Sequence, residues 1–182
     1  GKSLNVIAVK DDLSVDLEHY EALLRQHPNA LVAITHMSNA FGVMHPIERM
    51  TTLAHQYGCK ILIDAAQSGA HFPLDVSQSE VDFLVLSGHK LYGPSGIGAL
   101  YVKSALQSEF TPYQGGGGMI TEVAYDKSSF LPYPNGFEAG TPNIGGAIGV
   151  GGAVEFIEGI GFDTLREHEK YLMELTMEAL KA

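Results

Sequence analysis

The chain has 182 residues, 45% of them hydrophobic and 18% charged, with a formal net charge of −10. That length allows one domain with a sizeable core, and acidity of this degree argues against a nucleic-acid surface. No apolar run approaches the ~20 residues of a membrane span, the start has no signal-peptide pattern, and a single cysteine, Cys59, excludes an intrachain disulfide and fits a reducing cytoplasm.

Strand and helix signals alternate from the start. Val6 to Val9 reads as a short strand, within a segment carrying Lys2 and Lys10 near its ends. Asp16 to Gln26 reads as an amphipathic helix, with Leu17, Tyr20, Leu23 and Leu24 at helical spacing. Ala30 to Thr35 is an apolar, β-branched strand that runs into His36-Met37-Ser38-Asn39-Ala40-Phe41-Gly42. Asn39 is a polar side chain just past a strand end; turn chemistry alone also explains it. Pro46 to Tyr57 is the next helix, with proline in its first turn, Ile47, Met50, Leu53 and Ala54 on one face, and Gly58 as its stop.

Cys59 to Ile63 is a buried strand that leads directly into Asp64-Ala65-Ala66-Gln67-Ser68. A turn region around Pro73 to Ser79 precedes the strand Asp82 to Leu86, which ends in Ser87-Gly88-His89-Lys90. The turn to the next strand, Ile97 to Lys103, is too short for a parallel crossover, so that strand is expected to run antiparallel. The alternation predicts an α/β fold: a mostly parallel sheet with one antiparallel strand and helices on both faces.

Thr111 to Asn143 is rich in Gly, Pro, Tyr and Ser and is expected to be a long loop, a feature that is usually functional or flexible. Gly145 to Ile160 then reads as a glycine-rich, close-packed helix. Phe162 to Leu180 reads as a second helix, with Leu165, Tyr171, Leu172, Leu175 and Leu180 on one face. The 21 glycines cluster at Gly88 to Gly98, Gly115 to Gly118 and Gly145 to Gly152, where backbone is expected to approach backbone or a ligand.

Two strand ends carry the chemistry. Burying an ammonium is costly unless it is paired or neutralised, so Lys90 at the mouth of a core strand suggests a task. A Schiff base with an aldehyde cofactor fits; a surface loop lysine is the plainer alternative. Asp64 lies at a parallel strand's carboxyl end, where open α/β sheets place ligands. A carboxylate there suits the pyridine nitrogen of pyridoxal 5'-phosphate, and Gln67 suits the ring oxygen. A turn or helix cap is the plainer reading of Asp64.

The segments Thr35-His36-Met37-Ser38-Asn39-Ala40-Phe41-Gly42, Asp64-Ala65-Ala66-Gln67, Ser87-Gly88-His89-Lys90-Leu91-Tyr92-Gly93-Pro94 and Phe137-Glu138-Ala139-Gly140-Thr141-Pro142-Asn143 follow one another in order. Together they resemble the pyridoxal-phosphate-binding large domain of the SufS-like cysteine desulfurases, in the class V aminotransferase group of fold type I enzymes. The resemblance covers essentially the whole chain. It implies that Lys90 bonds covalently to the cofactor and moves the substrate's α-proton. It implies Asp64 on the pyridinium nitrogen, Gln67 and Asn39 on the ring's phenolic oxygen, and Ser87 and His89 on the phosphate. Thr141 would reach the phosphate of a partner's cofactor in a homodimer, and Gly115 to Gly118 would lie near the active-site mouth.

The reaction so implied takes sulfur from L-cysteine, leaves L-alanine and a protein persulfide, and feeds iron–sulfur cluster assembly in the cytoplasm through a sulfur-acceptor protein. The family keeps its persulfide-forming cysteine and substrate-carboxylate arginine in a later, smaller domain. A cofactor-stacking histidine and further phosphate contacts come from an earlier segment. Residues 1–182 are therefore expected to form the central part of the large domain, inactive as an isolated chain. Selenocysteine lysis or transamination would use the same residues, and a non-catalytic scaffold or dimerisation fragment is the second class of reading.

Cys59 opens a strand at the far end of the sheet from the cofactor side and is expected to be a small core residue, since reactive cysteines need an exposed, electropositive setting. The histidines show no tight ligand pair, so a metal site is not expected. Gly93 to Gly98 resembles a phosphate loop but enters a strand, whereas a dinucleotide fold needs its glycines between strand and helix.

Overall fold

A computed structural model describes residues 3–181. Helix α1, Leu17–Gln26, begins at Asp16, whose carboxylate accepts the backbone N–H groups of His19 and Glu18. Those bonds hold the Asp16 carboxyl below its usual range. Strand β1 is Leu31–Thr35, helix α2 Ile47–Gln56 and strand β2 Lys60–Asp64. A 3-10 turn, Ser68–Ala70, and the one-turn helix α3, Val76–Ser79, lead to strand β3, Phe83–Ser87. The 3-10 turn Gly88–Lys90 and strand β4, Gly98–Val102, complete the sheet.

The strand order is β1-β2-β3-β4. β1 and β2 pair in parallel, with Thr35 opposite Asp64, and β2 and β3 pair in parallel, with Asp64 opposite Val85. β4 is antiparallel to β3, with Ser87 opposite Gly98, as its short connection requires. Three parallel strands therefore end on one edge of the sheet, and β4 starts there.

Alternation along the strands divides the sheet into two faces. Val32, Ile61, Ile63 and Leu84 point into the main core with Tyr20, Leu24, Ile47, Met50 and Ala54 of α1 and α2. Leu86, on the same face, also touches a smaller cluster of Ala70, Leu91 and Ile157. The other face carries Leu62, Phe83 and Val102, covered by Leu106 of the 3-10 segment Ser104–Glu109 and by Tyr133. Cys59 is 1% exposed and belongs to the main core, as expected.

One core atom is unpartnered: the buried Oγ1 of Thr51, on α2, makes no hydrogen bond among the described residues. A buried hydroxyl without a partner costs about 1–3 kcal/mol. Thr51→Val keeps the shape and is expected to raise unfolding stability by about 1 kcal/mol. Urea denaturation measures this, and a clear loss of stability would refute the assignment of that hydroxyl as unsatisfied.

Three expectations change. Val6 to Val9 forms no strand; only Val9 makes an isolated bridge, to Val15, while Ala8 bonds through its N–H to His19 Nδ1 and through its carbonyl to Asp16. The local backbone groups are taken up by the start of α1, and Val6 is 76% exposed. Thr111 to Asn143 contains a hairpin, β5 Ile120–Val123 with β6 Ser128–Phe130, and a 3-10 turn, Asn135–Phe137. Its strands are too short for periodicity to register.

The helix α4, Ile144–Ile160, packs closely only in part. Gly149 lies against Pro94, but no atoms crowd Gly145, Gly151, Gly152 or Gly159, and Ile148 is 73% exposed. The last helix, α5 (Phe162–Ala179), buries no residue; Phe162 and Leu165 lean on the smaller cluster, while Tyr171, Leu172 and Leu175 face outward. No single helix among the described residues is long and apolar enough to cross a membrane.

Candidate active site

The carboxyl edge of β1, β2 and β3 gathers six of the seven residues singled out in the sequence. Asn39 sits in the loop after β1, Asp64 ends β2, Gln67 follows three residues later in the turn, and Ser87 ends β3. His89 and Lys90 occupy the 3-10 turn that follows. Adjacent strands lie about 4.8 Å apart, so donors at neighbouring strand ends fall within reach of one small ligand.

Each local segment has a physical reason. The loop after β1 is closed by an antiparallel bridge between Met37 and Met44 and by Ser38 N–H donating to Val43 O at 2.9 Å. Ser38 Oγ accepts the N–H groups of Ala40 and Phe41 at 3.2 Å, which presents exposed Asn39 on a tight turn. Asp64 Oδ1 accepts the Ala66 N–H at 2.9 Å. That is the turn-capping use of a post-strand aspartate, and it leaves the other carboxylate oxygen for a further partner.

The lysine turn is pinned by Gly88, whose carbonyl accepts both Leu91 N–H and Gly93 N–H at 3.0 Å. Lys90 is half-buried, His89 is exposed, and Ser87 Oγ lies 3.1 Å from His89 Nδ1. The hydroxyl and imidazole are thus already together one turn from the amine.

Gly88 cannot carry a side chain here. An added Cβ would stand 2.9 Å from the Ile97 carbonyl, which Gly88 N–H already binds, and 2.9 Å from Val150 Cγ2. Gly88→Ala is expected to cost about 1–3 kcal/mol and to shift the Lys90 turn. A thermal melt of the variant that overlays the parent's would sink this expectation.

Thr141, the seventh, lies exposed in the bend before α4. Asn143 ties that bend to the turn after Lys90: its Oδ1 caps Gly146 N–H at 2.9 Å and its Nδ2 donates to Gly96 O at 3.4 Å. The sequence signal for Asn143 as a positioning group is its place before a helical apolar run, where an asparagine caps.

Beneath the edge lies a buried polar pair that periodicity did not reveal. His36, the first residue past β1, is 7% exposed, and its Nδ1 is 2.9 Å from Oγ of fully buried Ser68. Burial holds the imidazole below its usual range; Glu48 pulls the other way and His45 adds to the lowering. The imidazole is therefore neutral at and above neutral pH.

The amino edge differs. Asp82, 2% exposed, accepts Ile61 N–H at 2.8 Å and His55 Nε2–H at 2.9 Å. An open cleft of about 300 Å³ there is lined by His55, Lys60, Asp82 and Lys103. It is at the opposite end of the strands from Lys90.

The family model described as aminotransferase class-V matches residues 1–182. A cysteine desulfurase of Escherichia coli (strain SE11) is 45% identical over 183 aligned positions, which cover all of this chain and 45% of that protein. A Shigella flexneri cysteine desulfurase matches with the same identity and coverage. Among solved structures, a cysteine desulfurase from Thermococcus onnurineus NA1 superposes with a TM-score of 0.90 at 39% identity, over 97% of this chain and 44% of that one. An Escherichia coli cysteine desulfurase superposes with a TM-score of 0.83 at 38% identity, over 89% of this chain and 41% of that one. The chain thus spans about half the length of the curated relatives it matches.

Proposed function

This chain belongs to the aminotransferase class-V family, and from that premise we propose that it is the cofactor-holding part of a cysteine desulfurase dependent on pyridoxal 5'-phosphate. The observation that carries the reading is the convergence of Asp64 and Lys90 on one edge of adjacent parallel strands. The donor set suits the group: an amine for the aldehyde, a carboxylate for the ring nitrogen, amides for the ring oxygen, and a hydroxyl–imidazole pair for the phosphate. Bound there, the cofactor supplies an electrophilic carbon and an electron-withdrawing ring.

In this reading Lys90 Nζ would hold the cofactor by its aldehyde and, once displaced by the substrate's amine, would hold or return the proton at the substrate's α-carbon. Asp64 would face the ring nitrogen through its second oxygen. Asn39 and Gln67 would orient the ring through its phenolic oxygen, and Ser87 with His89 would hold the phosphate. Thr141, exposed in the bend before α4, would serve the phosphate of a second copy's site in a homodimer.

For the complete enzyme, L-cysteine and an acceptor thiol give L-alanine and a persulfide, with the C–S bond exchanged for an S–S bond. The persulfide sulfur passes to an acceptor protein for iron–sulfur cluster assembly in the cytoplasm. The relatives' name and the 45% identity along the whole chain support the substrate; the lone buried cysteine supports the reducing compartment.

The test is direct. Purified chain is mixed with pyridoxal 5'-phosphate, its visible absorption recorded, and the mixture reduced with borohydride before peptide mass mapping. A visible band with a pyridoxyl group on the Lys90 peptide is expected. A chain that stays colourless, with no modified peptide, would favour a scaffold role for this segment.

A further inference from the structure

We propose that His36 and Ser68 form a positioning bridge that sets the loop carrying Asn39 against the turn carrying Asp64 and Gln67. The inference rests on the cofactor reading above and adds two residues that touch neither the cofactor nor the substrate in that reading.

The argument begins with the backbone. His36 N–H donates to Asp64 O at 2.8 Å, which extends the β1–β2 ladder one residue past the strand. His36 O accepts His45 N–H at 2.8 Å, so the loop 37–44 opens and closes on this residue. On the other side, Ser68 O accepts His71 N–H and Phe72 N–H at 3.0 Å, and Gly69 N–H returns to Ala65 O at 2.9 Å. Ser68 is therefore the hub of the turn after Asp64.

Beyond the ladder the two loops diverge, and their side chains must set the spacing. The link of 2.9 Å between His36 Nδ1 and Ser68 Oγ is made inside the protein, with Ser68 fully buried and His36 7% exposed. A buried hydrogen bond is directional, and losing one partner strands the other away from water. Two loops joined this way have little freedom to slide, so Asn39 and Gln67 keep a fixed separation. Positioning to within about 0.5 Å is what a preorganised site demands.

The imidazole's neutrality suits the role. A neutral ring in a site otherwise holding Asp64 and a bound anion adds no competing charge. Glu48 and His45 are the titratable groups acting on it, in opposite senses, and burial outweighs Glu48.

The test uses His36→Ala, Ser68→Ala, the double variant and His36→Gln. The readouts are the cofactor's dissociation constant and the pH midpoint of its visible band. Each single alanine variant is expected to weaken cofactor binding about tenfold, the effect of one stranded buried partner, and to move the band's midpoint. The double variant is expected to be no weaker than either single one, because both remove the same bond. His36→Gln, whose amide can still reach Ser68 Oγ, is expected to recover most of the affinity. Amide exchange is expected to rise together in residues 37–44 and 65–69 of the Ser68→Ala chain.

Losses that add in the double variant, or a dissociation constant and midpoint that match the parent's while Lys90 is labelled, overturn the bridge and leave the cofactor reading standing. A parent chain with no Lys90 adduct overturns the cofactor reading itself, and the positioning role with it.

Discussion

Lys90→Ala is expected to abolish the visible band and the borohydride-stable pyridoxyl adduct, while the chain keeps its fold. The two halves of this expectation have separate grounds. Only an unprotonated primary amine next to the bound aldehyde can form the covalent link, and alanine has none. The other described lysines with defined places near the sheet are at the wrong end. Lys60 opens β2, and Lys103 follows β4, whose last residue, Val102, pairs with Phe83 at the start of β3. Both line the cleft at the amino edge.

The fold should tolerate the change. Lys90 is half-buried, makes no salt bridge among the described residues, and sits in a turn held by backbone bonds to Gly88 O. Such substitutions usually stay within about 1 kcal/mol. Lys60→Ala and Lys103→Ala serve as controls and should keep both band and adduct. A band that survives Lys90→Ala unchanged, or an adduct that maps to Lys60 or Lys103 in the parent, would remove the Schiff-base assignment.

Asp82→Ala is expected to be the most damaging change away from the active site, destabilising the chain by about 3 kcal/mol. Asp82 precedes β3, and its Oδ2 gathers two donors, Ile61 N–H from β2 and His55 Nε2–H from the end of α2. Its carbonyl accepts Lys103 N–H at 2.9 Å, so this residue meets three elements. Alanine strands a buried backbone N–H, which no water can serve without opening the core. It also frees His55 from the sheet.

Asp82→Asn retains an acceptor for Ile61 and is expected to lose less than half as much. Urea denaturation at pH 7 gives both numbers. If the alanine variant unfolds within 0.5 kcal/mol of the parent, by the usual scale for surface changes, the bridge is a surface contact and not a structural one. The adduct at Lys90 should persist in folded Asp82→Ala, because the cluster is at the other edge.

These two sites were unequally legible before the structure. Strand β3 and the Lys90 turn stood out because an apolar run meeting Ser87-Gly88-His89-Lys90 breaks pattern sharply. Asp64 stood out for the same reason at the end of β2. Asp82 reads in the sequence only as the first residue of a strand. Its partners, Ile61 and His55, lie 21 and 27 residues away, and no periodicity links them.

The hairpin β5–β6 also carries no sequence signal. Its strands have four and three residues, fewer than a period-2 signal needs to rise above chance. The strand expected at Val6 to Val9 failed for the opposite reason: its apolar residues matched a strand, but the backbone partners nearest to them belong to the start of α1. Strand propensity describes a surface that fits a neighbour, and without that neighbour it is not realised.

What is local in this protein was written in the chain. The helix start at Asp16, the antiparallel turn into β4 and the polar residues at three strand ends all depend on interactions within a few residues. Side-chain pairing across the fold was not. His36 meets Ser68 over 32 residues, His71 meets Glu169 over 98 at 2.6 Å, and His55 meets Asp82 over 27. Each pair forms because parallel crossovers and the packing of α5 carry distant segments to one place. The energy that selects such a pair comes from excluding water around both groups at once, and burial of that kind exists only after the chain has folded.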